Sequence, residues 1–488
     1  MRQSMSLALS LFAMAACEQS YEPDVPMMTT TEMNTSLDRV EQTLSQDHPK
    51  ALSGLPSSVK AAFAQARAEV QFPKSVDEFS FVLSAAMATL GDSHTSLAVQ
   101  ADRQTDFGIV DLPLVWLKEG LVVKKDLGPL RKGDLIVSIG QRVPSVLLAD
   151  LRRVIPSEND DFVRARAAEL LVRSDYLRYL GVLGHGVVSV SVERNGVQLD
   201  LRLSLRPAPQ VVESPVPFVR YEIDLAHSLG VLSLDACTHN DLFEQTLQQF
   251  MTEVARNRIQ KIAIDLRQNR GGDATVALSF LRYIPKMYSA FSVELRSSAD
   301  LLKQNPAFAS DAYVQALAAF GVDAKLPSYT IPAPAIAALL SSSLPTVDPS
   351  LLYSGKLYVL TGPQTWSSAN LFTLLVKDNQ LGQQVGESIG NEANFYGQQL
   401  SFELSGTHFL FHSASSRNIR PNPKLPNDRA VVPDVEVPLL RSDVLRDRDP
   451  VRAIKLEAAL PFKPGERRLA GRVQREDGTV TEVTMLAR

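Results

Sequence analysis

Cysteine is nearly absent from this chain: 488 residues contain only two, Cys17 and Cys237. That scarcity excludes a disulfide framework as the source of stability. The metal-binding spacings Cys-x-x-Cys and His-Glu-x-x-His are missing, so no metal or other cofactor is expected. The phosphate-loop pattern Gly-x4-Gly-Lys-Ser/Thr is missing too. Lysine and arginine number 50 against 54 acidic residues, giving a formal net charge of −4 and a pI near 6.0, with no long basic run. Nucleic acid is therefore not an expected partner. No stretch is long and apolar enough to span a bilayer, and no internal repeat suggests a solenoid.

What remains is ordinary globular composition, 45% hydrophobic and 21% charged, enough for two or three cored domains. The first segment, residues 1–17, has one positive charge, a short apolar run and small residues before Cys17. It reads as a secretory signal. Met14-Ala-Ala-Cys17 resembles the lipobox of bacterial lipoproteins, which implies lipidation at Cys17 and a place in the bacterial cell envelope, facing the periplasm or the exterior. Residues 18–35 read as a polar tether. A helical region is expected over 36–105, its last helix closing at Gly91.

Short strands dominate 106–206, with Arg194-Asn-Gly196 as a hairpin turn and a helical insertion over 159–181. Pro129-Leu-Arg-Lys-Gly-Asp-Leu-Ile-Val-Ser-Ile-Gly-Gln141 resembles the core of a PDZ domain, a fold that accepts peptides as an added strand. Strands and helices then alternate over 215–440, which predicts an α/β fold: a mixed, largely parallel sheet with crossover helices of the ClpP/crotonase-like kind. Residues 300–350, rich in Ala, Pro and Ser, read as a helical insertion or lid, and 441–488 as an appendage with a hairpin around Glu476-Asp-Gly478. Cys237 lies in an apolar strand-like run and reads as a small buried residue.

Two turns carry the chemistry. In Leu360-Thr-Gly-Pro-Gln-Thr-Trp-Ser-Ser-Ala-Asn-Leu371, an apolar strand gives way to a helix at Ser367. A serine there is either a helix N-cap or an exposed nucleophile beside helix amides. Strand Lys261-Ile-Ala-Ile-Asp-Leu-Arg267 runs into Gln268-Asn-Arg-Gly-Gly272, where paired glycines let backbone approach a ligand and present N–H groups.

Ile264-Asp-Leu-Arg-Gln-Asn-Arg-Gly-Gly272, Thr365-Trp-Ser-Ser-Ala369, Val385-Gly-Glu387 and Val432-Pro-Asp-Val435 resemble, in order, the motifs of the tail-specific (C-terminal processing) and tricorn-like serine peptidases. The likeness spans about 75–440. It implies Ser367 as nucleophile and an oxyanion hole from the N–H of Ser368 and one from the Gly271-Gly272 turn. The processing branch takes a lysine as base, but position 392 is Glu392 and no lysine occurs between Lys377 and Lys424; its glutamate three residues after the serine is Asn370. Leu90-Gly-Asp-Ser-His-Thr95 and the lysine-free Ile389-Gly-Asn-Glu-Ala-Asn-Phe-Tyr-Gly397 look like the tricorn-like branch, which makes His94 the base. By position, Ser93 and Asp428 become candidates to orient its imidazole.

The leading expectation is a cell-envelope serine endopeptidase acting on polypeptides through an acyl-enzyme. A non-catalytic peptide- or apolar-ligand-binding lipoprotein of the same fold, and a scaffold working only through the PDZ-like edge, are the alternatives. Oligomeric state is left open.

Overall fold

The computed structural model describes residues 24–100, 106–209, 216–407, 409–427, 430–453, 469–474 and 480–485. Cys17, with the signal segment, lies outside the described residues.

Three helices open the fold: Thr30–Asp47, Ser57–Glu69 and Val76–Ala88. The first and third start at capping boxes, Thr29 with Glu32 and Ser75 with Glu78. In each, side chain and backbone exchange hydrogen bonds that the first turn otherwise lacks. The region does not stay helical to its end, because Ser96–Val99 is a strand. It pairs antiparallel with Phe409–Ile419, about 310 residues further along the chain. Local pattern carries no information about a partner so distant.

Residues 106–209 form an antiparallel sheet, in spatial order Val197–Ser204, Val187–Arg194, Leu135–Ile139, Gly120–Val123, Leu114–Leu117. Asn195 and Gly196 both adopt positive φ (53° and 79°), making the tight turn expected of Asn-Gly. Helices Pro144–Arg152, Asp160–Leu170 and Ser174–Tyr179 pack on this sheet around its own apolar cluster. The expected helical insertion is thus present.

The largest sheet has Leu229–Leu234, Lys261–Asp265, Lys356–Thr361, Gln383–Gly386 and Val435–Glu436 in parallel, flanked by antiparallel Val219–Asp224 on one edge. At the other edge, Val480–Met485 and Leu469–Gln474 add a hairpin whose tip lies outside the described residues. Leu229–Leu234 is buried throughout and Lys356–Thr361 nearly so, as strands covered on both faces must be. Crossover helix Asp241–Arg256 turns Phe243, Leu247, Phe250, Met251 and Val254 inward, spaced to share one face. Helix Ser368–Asp378 is buried almost all round, so it runs through the core rather than over it.

A second sheet joins Ser328–Ile331, Ser292–Arg296, Phe409–Ile419 and Phe395–Glu403 to Ser96–Val99. Residues 300–350 supply one of its strands, and Leu301, Leu317, Tyr329 and Ile336 enter the main core. This segment is therefore built into the fold rather than laid over it as a lid.

Candidate active site

Ser367 sits at the N-cap position of helix Ser368–Asp378, yet its side chain caps nothing. Its backbone is instead held at φ 57°, ψ −122°, a region that residues with a Cβ rarely enter. Strain of about 1–3 kcal/mol persists only where surroundings enforce it. Here Asn391 does so: its Oδ1 accepts the Ser367 N–H at 2.6 Å, and the residue is fully buried. The elbow lifts Oγ out of the helix, and it meets His94 Nε2 at 3.0 Å. Two residues 273 positions apart are thus in hydrogen-bond contact.

His94 is held on every side. The strand after it is anchored to Phe409–Ile419, and Gln399 Nε2 donates to its carbonyl at 2.8 Å. Its ring stacks on Trp366, centroids 3.8 Å apart and planes 17° from parallel. Asp92 Oδ1 accepts the His94 amide at 2.9 Å but lies 3.9 Å from Nδ1, beyond hydrogen-bond range. Burial pushes the imidazole down to about 4, against the pull of the Asp92 charge, so the ring is neutral near pH 7. A neutral ring accepts a serine proton; a protonated one does not.

Asp92 is itself a hub. Its Oδ2 accepts from His48 Nε2 at 3.0 Å and from Thr95 Oγ1 at 2.6 Å. His48 Nδ1 accepts the Lys50 amide, which puts the His48 proton on Nε2, facing Asp92. Burial is the largest single influence on Asp92 and works against its ionisation, but the His48 hydrogen bond, both imidazoles and Thr95 together outweigh it, and the carboxyl lies below its ordinary range.

Gly271 and Gly272 lie against the elbow at φ 90° and 131°. A Cβ on Gly271 would meet Ser367 Cβ at 2.6 Å and the Ser368 nitrogen at 2.8 Å; one on Gly272 would meet the Cys237 carbonyl at 2.3 Å. No other residue type fits either position. The Gly271 amide is taken by Asn269 Oδ1 at 2.8 Å. Among the described residues the amides of Gly272 and Ser368 have no protein acceptor, and Ser368 Oγ ties the two turns through the Gly272 carbonyl at 2.6 Å. Two unspent donors beside a serine hydroxyl form the layout of an oxyanion hole.

The remaining candidates fall elsewhere. Ser93 does not hold the imidazole; its Oγ accepts from Trp366 Nε1 at 2.8 Å and Asn391 Nδ2 at 3.2 Å, so it fixes the ring on which His94 stacks. Asp428 lies outside the described residues. Glu392, where the other branch has lysine, accepts from Asn427. Asn370 donates to the Glu392 carbonyl. Cys237 is buried, its thiol pushed up to about 12 by burial, as a structural cysteine should be.

The sequence reading missed Asn391, Asp92, His48 and Glu158. Asp92 stood two residues from His94, and its placement at the helix-to-strand turn was the one local signal available. Donor atoms of Asp92, His94 and Glu158 lie within 4.8 Å of one another, a set with the ligand types of a metal site. Both Asp92 oxygens are already engaged, so the set reads as proton-handling. Beside it a cavity of about 510 Å³ runs between the antiparallel sheet's helices and the core, lined by Ser93, Trp366, Arg270, Gln364, Phe162 and Leu97.

Residues 228–437 match the family model of peptidase family S41. That stretch holds the parallel sheet and the turns at Gly271-Gly272 and Ser367, so this part of the chain is similar to the S41 peptidases. The motifs and geometry at Ser367 agree with a serine-type peptidase. Mature CPAF is similar in fold to this chain, with 14% identity, a TM-score of 0.60, and 85% of this chain and 94% of that one covered. CPAF complexed with lactacystin aligns likewise, at 13% identity and a TM-score of 0.61, covering 85% and 95%. No curated protein matches the sequence.

Proposed function

We propose that the protein is a cell-envelope endopeptidase in which Ser367 attacks a peptide carbonyl and His94 is the base. The observation that carries this reading is the 3.0 Å contact between His94 Nε2 and Ser367 Oγ, made by a serine held in strained backbone at a helix start. His94 Nε2 takes the hydroxyl proton as Oγ bonds to the carbonyl carbon. The oxyanion turns toward the Ser368 and Gly272 amides, each such donor lowering the barrier by about 3–4 kcal/mol. The tetrahedral species then collapses, the amine leaves with the proton from Nε2, and water repeats the sequence to release the acid from Ser367. Stacking on Trp366 keeps the imidazole in one plane through both halves.

The antiparallel sheet over 106–206 is read as the PDZ-like element that recognises or gates the chain, and the adjoining cavity as the path for an extended polypeptide. Lipidation at Cys17 would hold the enzyme at the membrane. The test is incubation of the purified protein, without its signal segment, with an unstructured protein, comparing wild type, Ser367→Ala and His94→Ala. Cleavage in wild type alone supports the assignment. Cleavage surviving both substitutions, or binding without cleavage in all three, overturns it.

A further inference from the structure

His94 Nε2 can accept the serine proton only while the ring's own proton sits on Nδ1. That N–H needs an acceptor, and the base alone does not supply one. Among the described residues, buried Nδ1 has no hydrogen-bond partner. Asp92 is the nearer carboxylate, but it is 3.9 Å away and its oxygens already accept from His48, Thr95 and the His94 amide.

Among the described residues, one other carboxyl lies near the ring. Glu158 stands in the short turn between helices Pro144–Arg152 and Asp160–Leu170 of the antiparallel sheet's layer, far from both motif segments in sequence. It is 7% exposed, with an oxygen within 4.8 Å of a His94 ring nitrogen. Its Oε1 accepts from Asn391 Nδ2 at 3.2 Å, while Oε2 is buried without a partner. With the carboxyl and the ring this close, a buried donor and a buried acceptor that both lack partners among the described residues are natural complements, directly or through one water.

We propose that Glu158 is a positioning residue of the site: its Oε2 accepts from His94 Nδ1–H and so fixes the tautomer in which Nε2 can take the Ser367 proton. Asn391 orients both partners, through Oδ1 on the Ser367 amide and Nδ2 on Glu158 Oε1. The neighbouring Asn159 donates to the Ile389 carbonyl at 3.2 Å, which ties the Glu158 turn to the loop carrying Asn391. The layer that carries the peptide-binding expectation therefore also contributes a side chain to the catalytic centre.

The titratable groups facing Glu158 are Asp92, His94 and Glu392, with Ser93 beside them. Burial, reinforced by the Asp92 charge, raises the Glu158 carboxyl to about 8. The acceptor form is thus the minority near pH 7, and activity should climb as pH rises through 8.

The test is Glu158→Gln in the otherwise unchanged protein. Glutamine keeps the Asn391 contact through its oxygen but turns an NH2 toward Nδ1, so it opposes the Nδ1–H tautomer. Expected are a kcat loss of about 10–100-fold with KM within twofold, and loss of the rise through pH 8. A second readout is the 15N spectrum of histidine-labelled protein, with His94→Ala locating the signal: Nδ1–H should dominate at pH 8.5 in wild type and be lost in Glu158→Gln. That readout stands whether or not the protein cleaves, so it separates this inference from the proposed function on which it rests. An unchanged kcat and pH profile in a cleaving enzyme, or an unchanged His94 tautomer in the variant, overturns it.

Discussion

Replacing Asn391 by alanine tests whether the elbow at Ser367 is imposed rather than intrinsic. The side chain is fully buried and makes three hydrogen bonds, to the Ser367 amide at 2.6 Å and to Ser93 and Glu158 at 3.2 Å each. Its removal leaves a buried N–H without an acceptor, worth about 1–3 kcal/mol. It also releases the enforcement of a backbone at φ 57° that itself stores about 1–3 kcal/mol. Relaxation recovers part of that strain, so the net destabilisation expected is about 2–3 kcal/mol. The same relaxation moves Oγ away from His94, and a displacement near 1 Å costs about 100-fold in rate. Urea unfolding monitored by tryptophan fluorescence measures the first effect, and hydrolysis of a dye-quenched unstructured protein the second. A Ser367→Gly background sharpens the argument, because glycine accepts positive φ without strain. There no strain is left to recover, so the Asn391→Ala penalty in stability should grow by about 1 kcal/mol. Asn391→Ala with near-wild-type stability and kcat within twofold, or an equal penalty in both backgrounds, refutes the reasoning.

Gly271→Ala should abolish activity and lower stability by more than about 2 kcal/mol, since its Cβ would overlap the Ser367 side chain and the Ser368 amide; a folded, active variant would contradict the packing described. Trp366→Phe keeps a ring against His94 but loses the donor to Ser93, so kcat should fall about tenfold with little change in the unfolding midpoint, as steady-state kinetics will show. Glu158 is raised from the ordinary glutamate value to about 8, so the folded chain holds a proton that the unfolded chain releases between about pH 5 and 8. Stability should therefore fall as pH rises across that window, and Glu158→Gln should flatten the slope in denaturation series at pH 5, 6.5 and 8. Cys237, with its thiol held up near 12 and buried, should resist alkylation in the native protein, read by intact mass, and thiol reagents should leave cleavage unchanged.

The parallel core was legible because its strands and helices announce themselves locally. Strand Lys356–Thr361 falls where its run of β formers ends, and helix Asp241–Arg256 within a residue of its apolar stripe. Ser367 and the Gly271-Gly272 turn were legible for a related reason, since a strand meeting a helix leaves a short, recognisable junction. His94 required family resemblance, because nothing within its own segment shows that Ser96–Val99 pairs with a strand about 310 positions away. Asn391 and Glu158 sit in loops with no periodicity, and their roles arise only from what surrounds them in space. The alternative reading of Ser367 as a helix cap illustrates the limit from the other side. Position along the chain was read correctly, yet the side chain's direction depends on an asparagine 24 residues later.

The anchoring of the His94 strand by Phe409–Ile419 also sets a schedule. During synthesis from the N-terminus, the histidine emerges early, the serine much later, and the strand that seats the histidine later still. Until residue 419 has been made, the growing polypeptide lacks the strand against which the His94 segment is seated. Assembly of the Ser367–His94 contact is thereby tied to late events in synthesis, because the partner strand of the His94 segment is one of the last elements of the core to be made.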